Sequence, residues 1–134
     1  MVTEAKYVVL PFAKVAGCEV LGSFDGGRMS SDGGLVFLEH LDSRLGLVRR
    51  LATALRERRQ PCRVNHSQES LLRQRVLQIA CGYEDGNDAD RPRHDPLLKL
   101  ACGRRPLSGQ PLASQPTLSR WENSCSRTDL LRLA

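Results

Sequence analysis

Arginine is the residue type whose number and spacing most clearly point to chemistry in this 134-residue chain. Seventeen of its 20 basic residues are arginine, and the guanidinium group binds phosphate bidentately. Nine arginines between Arg44 and Arg75 stand against only Glu57 and Glu69, a local charge of +7 in a chain of net charge +5. A GC-rich coding sequence explains the use of arginine for lysine equally well, but it does not explain this clustering.

The arginine cluster is expected to lie on and after a helix over about residues 45–58. Its apolar face has Leu47, Val48, Leu51 and Leu55. The seven-residue spacing of Arg49 and Arg56 predicts that they share another face of the helix. We predict that six arginines of this segment contact DNA phosphates: Arg49, Arg50, Arg56, Arg58, Arg59 and Arg63. The alternative is a solvated face that keeps a leucine-rich helix in solution.

Residues that could bind a metal are present but poorly arranged. The five cysteines form no C-x-x-C pair, and Cys62 and His66 alone do not make a zinc site. The acidic segment 84–90 fails the calcium-loop pattern, because Ala89 takes the fifth position and no glycine follows. We interpret these acids as a solvated face with helix caps. The chain is predicted to have no metal-binding residues and no cofactor of its own.

The remaining pattern predicts a mainly α fold with a short β element at the N-terminus. Strands are expected over residues 7–10 and 18–21, as a possible hairpin. A glycine-rich segment, 24–34, is not a P-loop, and Ser31 or Asp32 is expected to cap the helix that follows it. A helix over 68–81 is capped by Asn65 or Ser67 and stops at Gly82.

The second half of the chain contains shorter helices. Leu72, Val76, Ile79 and Tyr83 are expected to form the apolar stripe of helix 68–81. Asp95 and Pro96 predict the start of a short helix over 97–102, which ends at Gly103. A connector rich in proline and glycine, 104–116, leads to a helix over 117–123 and to the beginning of another at 128–133.

Several blocks of the sequence, in order, resemble the N-terminal region of bacterial insertion-sequence transposases of the DDE type. The likeness extends from about Phe24 to the end of the chain. The blocks are Ser30–Leu35, Leu71–Leu77, Gly82–Asp85, Arg93–Pro96 and Leu112–Arg120. The resemblance implies two-metal phosphoryl transfer by acidic residues on a ribonuclease-H-like sheet, with magnesium or manganese ions. It also implies that the first catalytic aspartate lies beyond this sequence, so no complete sheet and no catalytic residue are expected here.

The segment 114–120 is similar to the recognition helix of helix-turn-helix repressors. By that analogy Gln115 reads adenine, Thr117 meets a base edge or phosphate, and Arg120 reads guanine or binds phosphate. A supporting helix should lie three or four residues upstream, where the connector cannot form one. The alternative is a capped helix with Leu118 and Trp121 in the core.

These patterns predict the DNA-binding part of a transposase, without catalysis of its own, that binds the terminal inverted repeats of its element. The expected organisation is short strands in 1–23, a helical domain in 24–103, the connector 104–116 and a truncated helical segment in 117–134. The alternatives are a helical module for homo-oligomerisation and an inactive remnant. The absence of an apolar run of about 20 residues and of a signal sequence predicts a cytoplasmic protein at the bacterial nucleoid.

Overall fold

The computed structural model describes residues 8–22 and 32–133, and within these ranges the fold is mainly α-helical, as predicted. A two-stranded antiparallel sheet is its only sheet there. The strands are β1 (Val8–Val9) and β2 (Leu21–Gly22), and the helices are α1 (Leu35–Leu45), α2 (Leu47–Ala54), α3 (Gln68–Ala80), α4 (Pro96–Ala101), α5 (Gln115–Ser124) and α6 (Arg127–Leu133). Short 3-10 helices span Pro61–Arg63, Gly86–Asp90 and Pro92–His94.

The N-terminal strands form the predicted hairpin, although the second strand is displaced from 18–21. Val8 pairs with Gly22 and Val9 with Leu21. Cys18 instead pairs with Val15 across a tight turn, and the two residues exchange two backbone hydrogen bonds. The regular strand pairing therefore begins only at Leu21. The Phe12 ring lies 5.0 Å from the Phe37 ring in an edge-on contact, which places the hairpin against α1. Tyr7, which the prediction also included, lies outside the described residues.

The start of α1 differs from the expected cap. Gly34 is the N-cap and offers no side-chain bond, while the Asp32 carbonyl accepts the Leu35 N–H at 2.9 Å. The Asp32 carboxylate accepts the Tyr83 hydroxyl at 3.2 Å. Ser31, the other candidate, lies outside the described residues. Asp32 thus joins the beginning of α1 to the segment after α3.

Helix α3 has the limits that its caps predict. The Ser67 hydroxyl accepts the Ser70 N–H at 3.1 Å. Gly82 adopts a positive φ of 86°, and the Tyr83 N–H then bonds the Gln78 carbonyl. This pattern is a Schellman motif, which satisfies carbonyls at the helix end and favours glycine at the left-handed position.

The apolar stripe predicted for α3 is wrong. The buried face has Leu71, Gln74, Leu77 and Gln78. Val76 and Ile79 are exposed. The physical reason is a tertiary contact: the Gln74 amide pairs with the backbone of Ala113, donating to its carbonyl at 2.9 Å and accepting its N–H at 2.8 Å. This pairing turns the glutamine face of α3 toward the interior.

The capping of α4 and the packing of the connector explain how the second half of the chain reaches the core. The Asp95 carboxylate accepts the N–H groups of Leu97 and Leu98, both at 2.8 Å, with Pro96 as the first helical residue. Residues 104–114 form no regular helix, but Leu112 and Ala113 are buried. They bring the chain back onto α3.

Two hydrophobic clusters form the core among the described residues, and each combines residues from before the connector with a residue of the connector itself, Ala113 in the first and Leu112 in the second. The first cluster comprises Leu55, Leu71, Ala89, Ala113, Leu118 and Trp121. The second comprises Leu35, Leu77, Leu98, Ala101 and Leu112. The division of the chain at residues 23, 103 and 116 stays a prediction.

Candidate nucleic-acid interface

Helix α2 is shorter than predicted, which changes the position of the arginines that follow it. The helix ends at Ala54, and Leu55 turns to an extended conformation with ψ of 142°. Leu55 leaves the helix to pack in the first hydrophobic cluster. Arg56 therefore lies beyond the helix, and the prediction that it shares a helix face with Arg49 is wrong.

The arginines on the outside of this segment remain available to a ligand. Arg49 and Arg50 are exposed on α2, and Arg56 is exposed just after it. None of the three forms an ion pair with a described residue. Their positive charges are therefore not offset by carboxylates of the described ranges.

Arg58 is also exposed, but it differs from these three because it is paired with a carboxylate of another element. Its guanidinium lies 3.1 Å from the carboxylate of the buried Asp129 and donates to the Ser126 hydroxyl at 2.8 Å. Hydrogen bonds from Ser126 lower the pKa of Asp129, so this carboxylate remains charged opposite Arg58. Arg58 ties the segment after α2 to the start of α6.

Arg59 is held in a fixed direction by three acceptors. Its Nε and Nη2 donate to the two carboxylate oxygens of Glu57, and its Nη1 donates to the His66 carbonyl at 2.9 Å. The hydrogen bond from Arg59 lowers the pKa of Glu57. The chain between Glu57 and His66 is thereby folded into a loop that carries Arg63 on its 3-10 helix.

This loop and α5 enclose a cleft with a cavity volume of about 340 Å³, which we call the α5 cleft. Trp121 and Ser124 complete its wall. Its polar lining consists of Arg59, Arg63, Asn65, His66, Thr117 and Arg120, and no acidic residue lines it. Four of the nine predicted contact residues, from two distant segments, thus meet in one concave surface.

Gln115 and Thr117 lie at the start of α5, which begins two residues earlier than predicted. The Gln115 N–H donates to the Asp90 carboxylate at 3.0 Å, and the Thr117 hydroxyl lies 3.1 Å from that of Ser114. Gln115 does not line the α5 cleft. Leu118 and Trp121 are buried, as the capped-helix alternative expects.

The arrangement around α5 is not that of a helix-turn-helix motif. The preceding helix, α4, ends at Ala101, and residues 102–114 separate it from α5. The 3-10 helix Gly86–Asp90 packs against α5 instead. Any base contact from this helix would therefore use a different supporting framework from that of repressors.

His66 stands at the boundary between the α5 cleft and a second one. Its Nδ1 lies 2.9 Å from Arg104 Nη2, and since guanidinium only donates, this nitrogen is the acceptor. Burial, reinforced by the charges of Arg104, Arg93 and Arg59, lowers the pKa of His66 below its ordinary value. The imidazole is consequently neutral at pH 7.

The second cleft, which we call the loop cleft, has a cavity volume of about 580 Å³. It shares Asn65 and His66 with the α5 cleft, and the turn 109–112 forms its far side. Its basic residues are Arg93, Arg104 and Arg105. These arginines lie outside the 44–75 segment. Arg93 belongs to one of the blocks that resemble the transposase family, and Arg104 is adjacent to Arg105, but neither feature indicated a phosphate-binding surface.

The family model described as transposase DDE domain group 1 matches residues 12–134. The chain belongs to this family. Neither the curated proteins nor the solved structures gave a significant match. The resemblance to DDE-type transposases is therefore confirmed at the level of the family.

Within this transposase-family fold, the acidic segment 84–95 is used for capping. Asp85 accepts the Asn87 N–H, Asp90 accepts the Gln115 N–H, and Asp95 caps α4. Among the described residues, no group of three or more histidine, cysteine, aspartate or glutamate side chains is placed to hold a metal ion. The carboxylates of this segment do not fit a two-metal site, which requires several of them to converge.

The cysteines of the transposase-family chain show no arrangement for redox or metal chemistry in the described ranges. Cys18, Cys62, Cys81, Cys102 and Cys125 are all free thiols. Burial raises the pKa of Cys102 to about 12, which makes it a poor nucleophile. No helix of the described residues has both the length and the apolar character needed to cross a bilayer.

Proposed function

We propose that this region binds DNA for a transposase, with the α5 cleft at the centre of the interface. The main support is the convergence of Arg59, Arg63 and Arg120, from two distant segments, on a concave surface without acidic lining. Arg59 is paired with Glu57 outside this lining, whereas Arg63 and Arg120 form no ion pair with a described residue. Guanidinium groups in such a surface favour a polyanion, and phosphate contacts supply most of the affinity of DNA-binding proteins. The ligand class is thus the DNA backbone.

The other predicted residues have different roles in this interface. Arg49, Arg50 and Arg56 are outer contacts that add sequence-independent attraction. Arg58 supports the interface by fixing the loop against α6, since its partner is Asp129. Thr117 and Arg120 face the bound DNA, and Gln115 at the start of α5 is the candidate for sequence preference.

The proposal places strand cutting and joining outside this region. Its acidic segment caps helices, so the magnesium or manganese chemistry of the family is assigned to other residues. The proposed target is the terminal inverted repeats of a bacterial mobile element. Such a role would place the protein at the nucleoid in the cytoplasm.

A salt titration of DNA binding tests this function. The Arg63→Ala, Arg120→Ala double variant should bind a labelled duplex more weakly. The negative slope of log binding constant against log salt concentration should become shallower by about 1.8, because two phosphate contacts are lost. Arg44→Ala with Arg132→Ala removes the same charge from exposed positions outside both clefts and serves as the matched control. Equal slopes for the two double variants would refute the α5 cleft as the interface.

Sequence preference requires a second comparison. Gln115→Ala should reduce the discrimination between a duplex with the terminal inverted repeat and one of scrambled sequence, while its salt slope stays that of the wild type. A variant that retains full discrimination would remove Gln115 from the interface.

An apolar surface favours a second candidate function, a helical module that pairs two copies of the chain. Helices α1, α2 and α3 leave a set of large apolar side chains partly exposed around a shallow groove: Leu38, Leu41, Leu45, Leu47 and Val76. Exposed apolar patches often mark protein interfaces. Sedimentation equilibrium distinguishes the two functions. If two copies pair, the apparent molecular mass of the wild type should rise with protein concentration in the absence of DNA, whereas the Leu41→Glu variant should keep the mass of a monomer.

A further inference from the structure

The loop cleft has the composition of an anion site that the sequence pattern did not indicate. It is lined by three arginines from two segments, 93 and 104–105, and by no acidic residue. The nearest carboxylate interaction is that of Asp90, 3.8 Å from Arg93 Nη1 at the edge of contact distance. The positive charge of this surface is therefore largely uncompensated.

Arg104 is fixed in place without being neutralised. Its guanidinium donates to the carbonyls of Gln110 and Pro111 and to the Nδ1 atom of His66. All three acceptors are uncharged, because His66 is neutral at pH 7. Arg104 consequently offers a full positive charge in a pre-organised position, which reduces the entropy cost of binding an anion.

Arg93 and Arg105 add two further guanidinium groups to the lining of the cleft. The Arg93 side chain is partly exposed, but its Nε is buried and has no hydrogen-bond partner among the described residues, so a ligand would meet the outer nitrogens of this guanidinium. Arg105 is exposed and forms no ion pair within those residues. Its backbone carbonyl accepts the Gly109 N–H at 3.0 Å, so the turn holds it beside the cleft.

The loop cleft and the α5 cleft adjoin each other, because Asn65 and His66 line both of them. Six arginines and no acidic residue line the two clefts taken together. An extended polyanion fits such a surface better than a single small anion, because successive phosphates can occupy both parts.

We propose that the loop cleft is a second phosphodiester-binding subsite, in which Arg93, Arg104 and Arg105 receive the DNA backbone as it leaves the α5 cleft. This inference rests on the proposed function and extends its footprint across Asn65 and His66. Arg105 is the residue to substitute in a test, because Arg104 also holds the connector in place and its loss would disturb the fold.

The test compares Arg105→Ala and Arg105→Lys with wild type in the salt titration of the 134-residue chain. Arg105→Ala should make the negative slope shallower by about 0.9, because one phosphate contact is lost. It should also weaken binding about eightfold at 0.1 M salt, to the specific and the scrambled duplex alike. Arg105→Lys keeps the charge and should restore most of the slope. The Arg44→Ala variant is the matched control, and thermal unfolding checks that each variant is folded.

The possible results separate the inference from the proposed function. If wild type binds DNA and Arg105→Ala has the slope of the Arg44→Ala control, the loop cleft is not a subsite, although the α5 cleft remains one. If wild type shows no salt-dependent binding, the proposed function fails and the subsite fails with it. If Arg105→Lys behaves like Arg105→Ala, charge is not what the position provides, and the inference is wrong.

Discussion

At the scale of single residues, Gln74 shows why a polar side chain occupies a position that periodicity would assign to leucine. Gln74 and Ala113 are both essentially inaccessible to solvent. The amide satisfies the N–H and the carbonyl of Ala113 together, which would otherwise be buried without partners. The neighbouring Gln78 is equally buried, but its amide atoms have no hydrogen-bond partner among the described residues.

This contrast gives a prediction about stability. Gln74→Met should lower the free energy of unfolding by about 3 kcal/mol, because it leaves two buried backbone groups unpaired. Gln78→Met is the matched control, and it should be neutral or stabilising by about 1 kcal/mol, since it removes a polar group without a partner. Urea unfolding followed by circular dichroism measures both. Equal losses in the two variants would contradict the role assigned to the Gln74 pair.

At the scale of elements, local sequence rules predicted the ends of those helices whose capping residues lie next to them in the sequence. Ser67 and Gly82 set the limits of α3, and Asp95 with Pro96 sets the start of α4, as expected from short-range capping. The rules failed where a distant segment decides. Ala113 determines which face of α3 is buried.

The same distinction applies to the candidate site. Arg59, Arg63, Thr117 and Arg120 were each identified from their own segments, but no local pattern shows that the two segments meet. Counting charged residues along the sequence reveals a cluster only when its members are close to one another in the sequence. The arginines of the loop cleft come from two segments outside the basic window and were missed for that reason.

The turn at 105–109 gives a prediction at this scale. A Cβ atom at Gly109 would lie 2.4 Å from the Arg105 carbonyl oxygen, so Gly109→Ala must displace the turn. We expect a loss of about 2 kcal/mol in stability and weaker DNA binding. Gly86→Ala is the matched control, because a Cβ there meets no atom within 4 Å. Thermal unfolding and the DNA titration measure both variants, and a wild-type result for Gly109→Ala would contradict the close approach.

At the scale of the whole molecule, the arginines divide into two groups with different partners. Arg58, Arg73 and Arg75 are paired with carboxylates of other elements and join the helices to one another. In the two clefts, Arg59 pairs with Glu57 and Arg93 lies 3.8 Å from Asp90, whereas the other four arginines form no ion pair with a described residue: Arg63, Arg104, Arg105 and Arg120. The division explains how one chain can use arginine both to hold its fold and to leave a concentrated positive surface.

The pH dependence of stability follows from the groups whose pKa the fold changes. Burial lowers the pKa of His66 from 6.5, so the unfolded chain takes up its proton first as the pH falls. Stability is therefore present above pH 6.5 and is lost below it. Glu57 and Asp129 also have lowered pKa values, but they lose their contributions only below their unfolded values of 4.5 and 3.8. Burial raises the pKa of Glu39 above 4.5, so the native chain takes up this proton before the unfolded chain does, and Glu39 acts in the opposite direction at pH values above 4.5.

Among the groups with lowered pKa values, His66 is the one that loses its contribution between about pH 6.5 and pH 5, and the effect of Glu39 is common to the wild type and to a variant at position 66. We expect the free energy of unfolding of the wild type to fall across this window, because protonation removes the acceptor of Arg104 and places a positive charge beside Arg59, Arg93 and Arg104. His66→Asn keeps an acceptor oxygen that does not titrate, so its stability should change little there. Urea unfolding at half-unit pH intervals compares the two proteins. If the free energies of unfolding of the two proteins change in parallel with pH, the protonation of His66 is not linked to folding, and a neutral imidazole is not needed between the two clefts.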